Sequence, residues 1–290
     1  MPELPEVETI ARKLRASLIG RSVTRADILW ARTIDRPDPA KFQHDVVGAS
    51  ITGVDRRGKY LIVALDTGQF LLVHLRMSGK FALIAAGEAV EREEHCRVIF
   101  SLDDGAQLAY IDPRKFGRFY LVEHLNEVIG PLGPEPLDHG TGPGWWCHQL
   151  RGRRGEIKRL LLDQAFIAGL GNIYANEALW LARIHPQRTA GSLTEAECHR
   201  LHEAVVTVLE QGIRNGGTSL EDRQYVYPNG GLGRHQQYLR VYDREGEACP
   251  RCGYALNRIV QGQRSTYYCP VCQQLPGAAA GSERTQPDPK

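Results

Sequence analysis

The chemistry in this sequence starts at its first six residues, Met1-Pro2-Glu3-Leu4-Pro5-Glu6. Loss of Met1 would leave Pro2 as a terminal secondary amine with two carboxylates, Glu3 and Glu6, close by. An α-amino group titrates near about 7.7–8.0, far below a lysine at about 10.4, so a good fraction is unprotonated at neutral pH and able to attack an electrophilic carbon. The plain alternative makes Pro2 a processing signal and Pro5 the first residue of a helix, where proline is well tolerated.

A second group lies near the other end. Cys249 and Cys252, then after sixteen intervening residues Cys269 and Cys272, have the spacing of two knuckles presenting four thiolates to one tetrahedral zinc. No ligand position stays open, so the ion is structural and not the catalyst. Such a module has almost no core, and metal binding supplies its folding free energy, about 10–16 kcal/mol in isolated zinc-finger peptides. Arg258–Thr266 between the knuckles is the expected hairpin, with Arg264 near its tip where it could reach an external phosphate. The seven cysteines are odd in number, and Cys96, Cys147 and Cys198 stand apart, which argues against a disulfide framework.

These groups need elements to hold them. Val7, Ile10, Ala11, Leu14 and Leu18 repeat at helical spacing, predicting a helix from about Pro5 to Leu18 with the amine at its start. A helix N-terminus favours negative charge. That accounts for Glu8 and could account for Glu6, but Glu3 precedes the helix. Between Ser22 and Val122 the pattern changes to short runs of Val, Ile, Leu, Phe and Tyr, predicting strands at 23–30, 50–54, 60–65, 70–75, 97–102, 107–111 and 118–122. Asp66-Thr67-Gly68 and Asp103-Asp104-Gly105 supply hairpin turns, so a mostly antiparallel sandwich should pack against the first helix. Residues 85–94 suit an exposed loop.

The Pro/Gly-rich stretch 130–144 reads as a linker, followed by helical periodicity over 156–166, 172–184 and 194–214. The last opens with a capping box, Thr194-x-x-Glu197. The fold class is therefore α+β with several domains: a β-sandwich domain at 1–130, a linker at 131–144, a helical domain at 145–220, a loop at 221–237 and a zinc module at 238–274. The remainder, 275–290, has the composition of a disordered tail.

Four short segments could meet a polyanion. The turn Ile167-Ala168-Gly169-Leu170-Gly171-Asn172 joins two helices and, with Asn172 as N-cap, would expose backbone N–H groups as an anion site, although an ordinary helix hairpin looks the same. Arg56-Arg57-Gly58-Lys59-Tyr60 sets three cations beside a glycine, or forms a solvated turn. His74-Leu75-Arg76-Met77-Ser78-Gly79 and Asp112-Pro113-Arg114-Lys115-Phe116-Gly117 place Met77 and Phe116 in glycine-bounded loops, where they are either core or wedges able to fill a gap in stacked bases. Net charge is +2, too small to announce a nucleic acid by itself. The first 150 residues carry 18 Lys and Arg against 20 Asp and Glu, the rest 18 against 14. Local patches such as Arg151–Arg159 would have to do the holding. No apolar run reaches membrane-span length and no signal peptide opens the chain, so the expected compartment is the cytoplasm.

Taken together, the N-terminal hexapeptide, Arg57-Gly58-Lys59-Tyr60, the two glycine-bounded loops, Leu161–Glu177 and the zinc module resemble the bacterial formamidopyrimidine-DNA glycosylases of the Fpg/MutM and endonuclease VIII family, in the family's order from residue 2 to about 273. The resemblance implies a monomeric enzyme of base excision repair, acting at the nucleoid. It would remove 8-oxoguanine and formamidopyrimidines from duplex DNA and then cleave the abasic site. On this chain Pro2 would attack C1′ and form a Schiff base, with β- and δ-elimination following, and Glu3 would be the acid/base group at the sugar. Glu6 and Lys158 would support the chemistry. Lys59, His74, Asn172, Tyr242 and Arg264 would grip phosphate, Lys59 and Arg264 also counting as catalytic. Met77, Arg114 and Phe116 would fill the space left by the flipped lesion. One structural zinc on Cys249, Cys252, Cys269 and Cys272 is implied, with no catalytic metal or organic cofactor. Residues 221–237 would close over the flipped base, although Tyr225–Gly231 departs from the family pattern. An endonuclease VIII-like preference for oxidised pyrimidines is the nearest alternative, which Leu4 and the intact triad argue against. A non-catalytic zinc-finger binder of damaged DNA is the alternative from another class.

Overall fold

The computed structural model describes residues 1–88, 94–220 and 225–275. In chain order these form α1 (Leu4–Leu18), β1 (Val23–Ile28), β2 (Ile34–Arg36), α2 (Pro39–Val46), β3 (Ile51–Arg57), β4 (Tyr60–Leu65), β5 (Phe70–His74), β6 (Lys80–Ile84), β7 (Cys96–Leu102), β8 (Gln107–Ile111) and β9 (Arg118–Val122). Then come α3 (Asn126–Ile129), α4 (Pro143–Leu150), α5 (Ile157–Leu161), α6 (Asn172–Leu181), α7 (Glu195–Arg214), β10 (Asn257–Gln261) and β11 (Arg264–Tyr268). No helix among the described residues is long and apolar enough to cross a membrane.

Two sheets make the first domain. One runs β1-β7-β8-β6 and the other β2-β9-β5-β4-β3, antiparallel except for the β2–β9 pair. Val63, Val73, Phe81, Phe100, Tyr110 and Phe119 meet between them, and α1 adds Val7, Ile10, Leu14 and Leu18 to the same core. Register decides which loops share an edge. Tyr60 pairs with His74 and His74 with Arg118, so Lys59, the loop after β5 and the loop before β9 emerge side by side.

The helical domain has its own core, with Trp146, Leu150, Ile157, Leu161, Tyr174, Leu201 and Val205 buried together. Leu4 of α1 belongs to that core and not to the sandwich, which ties the chain's start to the second domain. A third, small cluster joins Trp180 to Val241, Leu256 and Tyr267 of the zinc module.

Several expected elements differ. The helix expected at 156–166 ends at Leu161, because the Gln164 side chain bonds the turn instead, donating to Leu162 and Leu170 carbonyls and accepting from Gly169 N. The helix expected at 172–184 ends at Leu181, with Arg183 at a φ of 60° closing it. The first strand stops at Ile28 rather than residue 30, and the strand expected at 50–54 continues to Arg57. β2, β6, α2, α3 and α4 are not among the elements expected from the sequence. The stretch expected as a linker is docked: Gly133 N donates to Gln164 O at 2.8 Å and Ala168 N to Pro134 O at 3.0 Å. Glu8 does not serve the helix dipole but pairs with Arg12 and Arg56. Residues 89–93 of the expected loop, 221–224 of the expected closing loop and 276–290 of the expected tail lie outside the described residues.

Candidate active site

Glu3 is the N-cap of α1, and its backbone N–H donates to Glu6 Oε2 at 2.8 Å. Its side chain turns to the other domain, accepting from Gly171 N at 2.8 Å, Ile173 N at 2.9 Å and Tyr174 N at 3.4 Å. The two-glycine turn is thus an anion site, as its sequence suggested, but its occupant is internal. Gly171, not Asn172, is the N-cap of α6, which corrects the expected cap. A β-carbon there would fall 2.3 Å from the Glu3 carboxyl carbon. Gly169, at a φ of 90°, has no room for one either, since it would meet Leu4 at 2.7 Å.

Glu6 is buried beside Pro2. It accepts from Tyr174 Oη and from Thr218 N, both at 2.8 Å. Burial, with the nearby Glu3 charge second, pushes its carboxyl up to about 7 despite these donors. A carboxyl at that value can hold or release a proton at neutral pH.

Lys59 and His74 stand at the edge where β4 begins and β5 ends. Lys59 is 6% exposed, and burial lowers its ammonium from the ordinary value, with Glu3 opposing and Arg264 adding to the effect. It makes no hydrogen bond or salt bridge among the described residues. His74 is pushed down to about 3 by burial, then by Arg76 and Lys59, so it is neutral. Its Nδ1 accepts from Arg76 N at 3.0 Å, which leaves Nε2–H as a donor.

The zinc module brings the remaining cations. Arg264 opens β11 and is exposed. Asn172 Nδ2 and Lys158 Nζ both donate to the carbonyl of the next residue, Ser265, at 3.0 Å, and Lys158 also donates to Thr266 Oγ1 at 2.6 Å. Lys158 is fully buried, and burial above all pushes it down to about 7. It therefore props the hairpin that carries Arg264 and does not face outward. Burial and the Glu3 charge hold the Tyr242 hydroxyl up at about 12, so it stays a donor. Glu177, which the sequence reading missed, fixes the backbone beneath Tyr242 by accepting from Arg240 N, Val241 N and Tyr242 N at 2.8–2.9 Å.

The Sγ atoms of Cys249, Cys252, Cys269 and Cys272 all lie within 4.8 Å of one another. Cys249 Sγ accepts from Trp180 Nε1 at 3.5 Å and Cys269 Sγ from Cys272 N at 3.3 Å, the donors expected around thiolate ligands. Four thiolates so placed suit one tetrahedral structural zinc.

One cavity of about 320 Å³ gathers these groups: Glu3, Lys59, His74, Asn172, Tyr242 and Arg264 all line it, with Arg76 and Met77. A second, of about 30 Å³, is lined by Pro2, Glu6, Met77, Ile173, Thr218, Leu220 and Tyr225. Met1, Met77, Ile173 and Leu220 line both, and removal of Met1 would free the Pro2 nitrogen at their common wall. Met77 is half-buried and lines both cavities, whereas Arg114 and Phe116 line neither: Phe116 is 48% exposed, and the Arg114 guanidinium lies 5.0 Å from its ring centre. Asp112 ties the loop carrying Arg114 and Phe116 to the Met77 loop, accepting from Ser78 Oγ at 2.5 Å, Arg114 N at 3.2 Å and Gly117 N at 2.8 Å.

The chain matches the formamidopyrimidine-DNA glycosylase N-terminal domain family over residues 1–119, the formamidopyrimidine-DNA glycosylase H2TH domain over 132–224, and the zinc finger found in FPG and IleRS over 246–275. It belongs to the formamidopyrimidine-DNA glycosylase family. The family's member from Symbiobacterium thermophilum is 46% identical over 99% of this chain and 94% of its own length, and that from Pelotomaculum thermopropionicum 45% identical over 95% and 100%. Among solved structures, Lactococcus lactis Fpg bound to DNA containing an abasic site superposes with a TM-score of 0.87 at 35% identity, and MutM bound to DNA containing carbocyclic 8-oxo-G with 0.86 at 36%. Each covers 94% of this chain and 100% of its own. The family's three parts correspond to the sandwich, the helical domain and the zinc module.

Proposed function

We propose that this chain excises oxidised purines from duplex DNA and then cleaves the abasic strand, with Pro2 as nucleophile. The observation that carries the reading is that a cavity lined by Lys59, His74, Asn172, Tyr242 and Arg264 shares the walls Met1, Met77, Ile173 and Leu220 with one lined by Pro2, Glu6, Thr218 and Tyr225. A nucleotide whose phosphates lie in the first and whose base enters the second presents C1′ to the Pro2 nitrogen. At about 30 Å³ the second cavity has room for roughly a water molecule, so it widens when the base enters.

The Pro2 lone pair forms a bond to C1′ as the bond from C1′ to the base breaks, and the departing base takes up a proton. Glu6, balanced near neutrality, is a proton source on that side. Glu3, at the end of α6, takes up the proton that the Pro2 nitrogen gives up on bonding to C1′ and passes it to the ring oxygen as C1′–O4′ opens, giving the iminium. Loss of a C2′ proton then expels the 3′ phosphate, and a second elimination expels the 5′ phosphate. Lys59, Arg264 and the neutral His74 hold those phosphates, and Tyr242 and Asn172 complete the grip as uncharged donors. The zinc, bound to its four cysteines, keeps Arg264 in place. Met77, Arg114 and Phe116 enter the duplex once the lesion has left it, offsetting part of the few kcal/mol that extrusion costs.

The test is single-turnover incision of a duplex carrying one 8-oxoguanine. Product ends bearing phosphate on both sides of a one-nucleotide gap support the reading, whereas binding without incision would make the chain a binder of damaged DNA. Faster incision at an oxidised pyrimidine would move its specificity to the other branch of the family.

A further inference from the structure

We propose that Glu135 is a positioning residue for Lys59, a buried carboxylate that grips the turn between β3 and β4 and so decides where the ammonium enters the cavity. The proposal rests on the reading of Lys59 as a phosphate-holding group. In sequence, Arg56-Arg57-Gly58-Lys59 looks like a solvated basic turn. In the fold, Glu135 is 8% exposed and takes up almost all of it. Its Oε2 accepts from Arg56 Nη1 at 2.6 Å, and its Oε1 from Arg57 Nη1 at 2.9 Å and Gly58 N at 2.5 Å. Arg56 passes the connection on to α1 through Glu8 Oε2 at 2.9 Å. Arg57 also reaches the carbonyl of Gly133, in the same segment as Glu135.

The turn lies against the other domain as well. Gly58 has a φ of 55°, and a β-carbon there would stand 3.3 Å from Ala168 Cβ and 3.6 Å from Gly169 N, beside the turn that Glu3 caps. Lys59 is the next residue. Its backbone is held on one side by the bonds to Glu135 and on the other by the pairing of Tyr60 with Arg57 and His74. Two of three neighbouring cations are therefore answered internally, and the third is left to the cavity.

Deleting a negative charge near a polyanion site would, by simple electrostatics, tighten DNA binding. Loss of positioning predicts the reverse. The experiment compares native protein, Glu135→Gln, Lys59→Met and the double variant on a duplex with one abasic site, measuring single-turnover cleavage and binding against salt. Each single substitution is expected to slow cleavage by about tenfold or more and to weaken binding, while Glu135→Gln in the Lys59→Met background changes the rate less than about twofold, the signature of coupled residues. Glu135→Asp should recover part of the loss. Independent effects that multiply, or tighter binding by Glu135→Gln, would overturn the proposal. A Lys59→Met protein as active as the native one would instead overturn the reading of Lys59. Should Glu135→Gln fail to fold, Arg57→Gln in the same cycle applies the same criteria.

Discussion

Glu3 and Gly171 are matched across the domain boundary: the carboxylate accepts the glycine's amide hydrogen at 2.8 Å and fills the space a β-carbon would take. The residue beside Pro2 is thereby placed by the helical domain as much as by its own helix. Gly171→Ala should push the carboxylate off the end of α6 and slow excision of 8-oxoguanine by about a hundredfold, the cost of a shift on the order of 1 Å at a reacting centre. Single-turnover kinetics at saturating enzyme check this, and an alanine protein at native rate would mean that Glu3 does not act from this position.

Stability should fall as pH rises from about 4.5 to about 7. Glu6 titrates at about 7 in the fold against 4.5 when free, so between those values the folded chain binds more protons than the unfolded one. The sign follows from linkage: stability present below about 4.5 is lost as pH rises through about 7, at no more than about 1.4 kcal/mol per pH unit. Glu6→Gln should flatten that part of the profile. Urea midpoints at pH 5, 6 and 7 that fall equally in both proteins would assign the slope elsewhere.

The phosphate grip should separate by charge. Lys59→Met or Arg264→Gln is expected to weaken binding to all sequences alike and to reduce the salt slope by about 1 each, whereas Asn172→Ala weakens binding with little change in slope. Removal of zinc should match or exceed the Arg264 effect, because the hairpin holding Arg264 hangs on the four cysteines. Titrations from low to moderate salt, with circular dichroism to confirm that the sandwich stays folded, decide it; full affinity in zinc-free protein would contradict the account.

Arg114 should read the base left opposite the lesion. An orphaned cytosine offers O2 and N3 as adjacent acceptors to the guanidinium, while adenine presents a donor on the same edge. A good bidentate pair discriminates by about 1–3 kcal/mol, so excision opposite cytosine should be roughly ten- to a hundredfold faster than opposite adenine. Arg114→Ala should flatten this preference and leave cleavage of a pre-formed abasic site largely intact. Retention of the full preference would return Arg114 to the role of a surface cation.

Much of this site was legible because its parts are local. The hexapeptide, the paired Cys-x-x-Cys knuckles and the glycine-bounded loops each carry their chemistry within a few residues, and periodicity separated the sandwich from the helices. What stayed hidden depends on partners far away in sequence. Nothing local says that Glu3 would occupy the anion site at Gly171, that Lys158 would point into the zinc hairpin, or that Glu177 would hold the backbone of Tyr242. Glu177 left one trace, a charge on the apolar helix 172–181. Glu135 was hidden in a stretch whose prolines and glycines suggested a linker, and α4 was missed because its Pro143-Gly144 start reads as a breaker although proline suits a first turn.

Borohydride trapping on a duplex with one 8-oxoguanine tests most directly whether the nitrogen of Pro2 attacks the damaged nucleotide. Protein from which Met1 has been removed should form a covalent adduct whose peptide map places the DNA on Pro2. Protein retaining Met1 should form none while still binding the duplex. An adduct formed at the same rate with Met1 in place, or mapped to Lys59 or Lys158, would contradict the account.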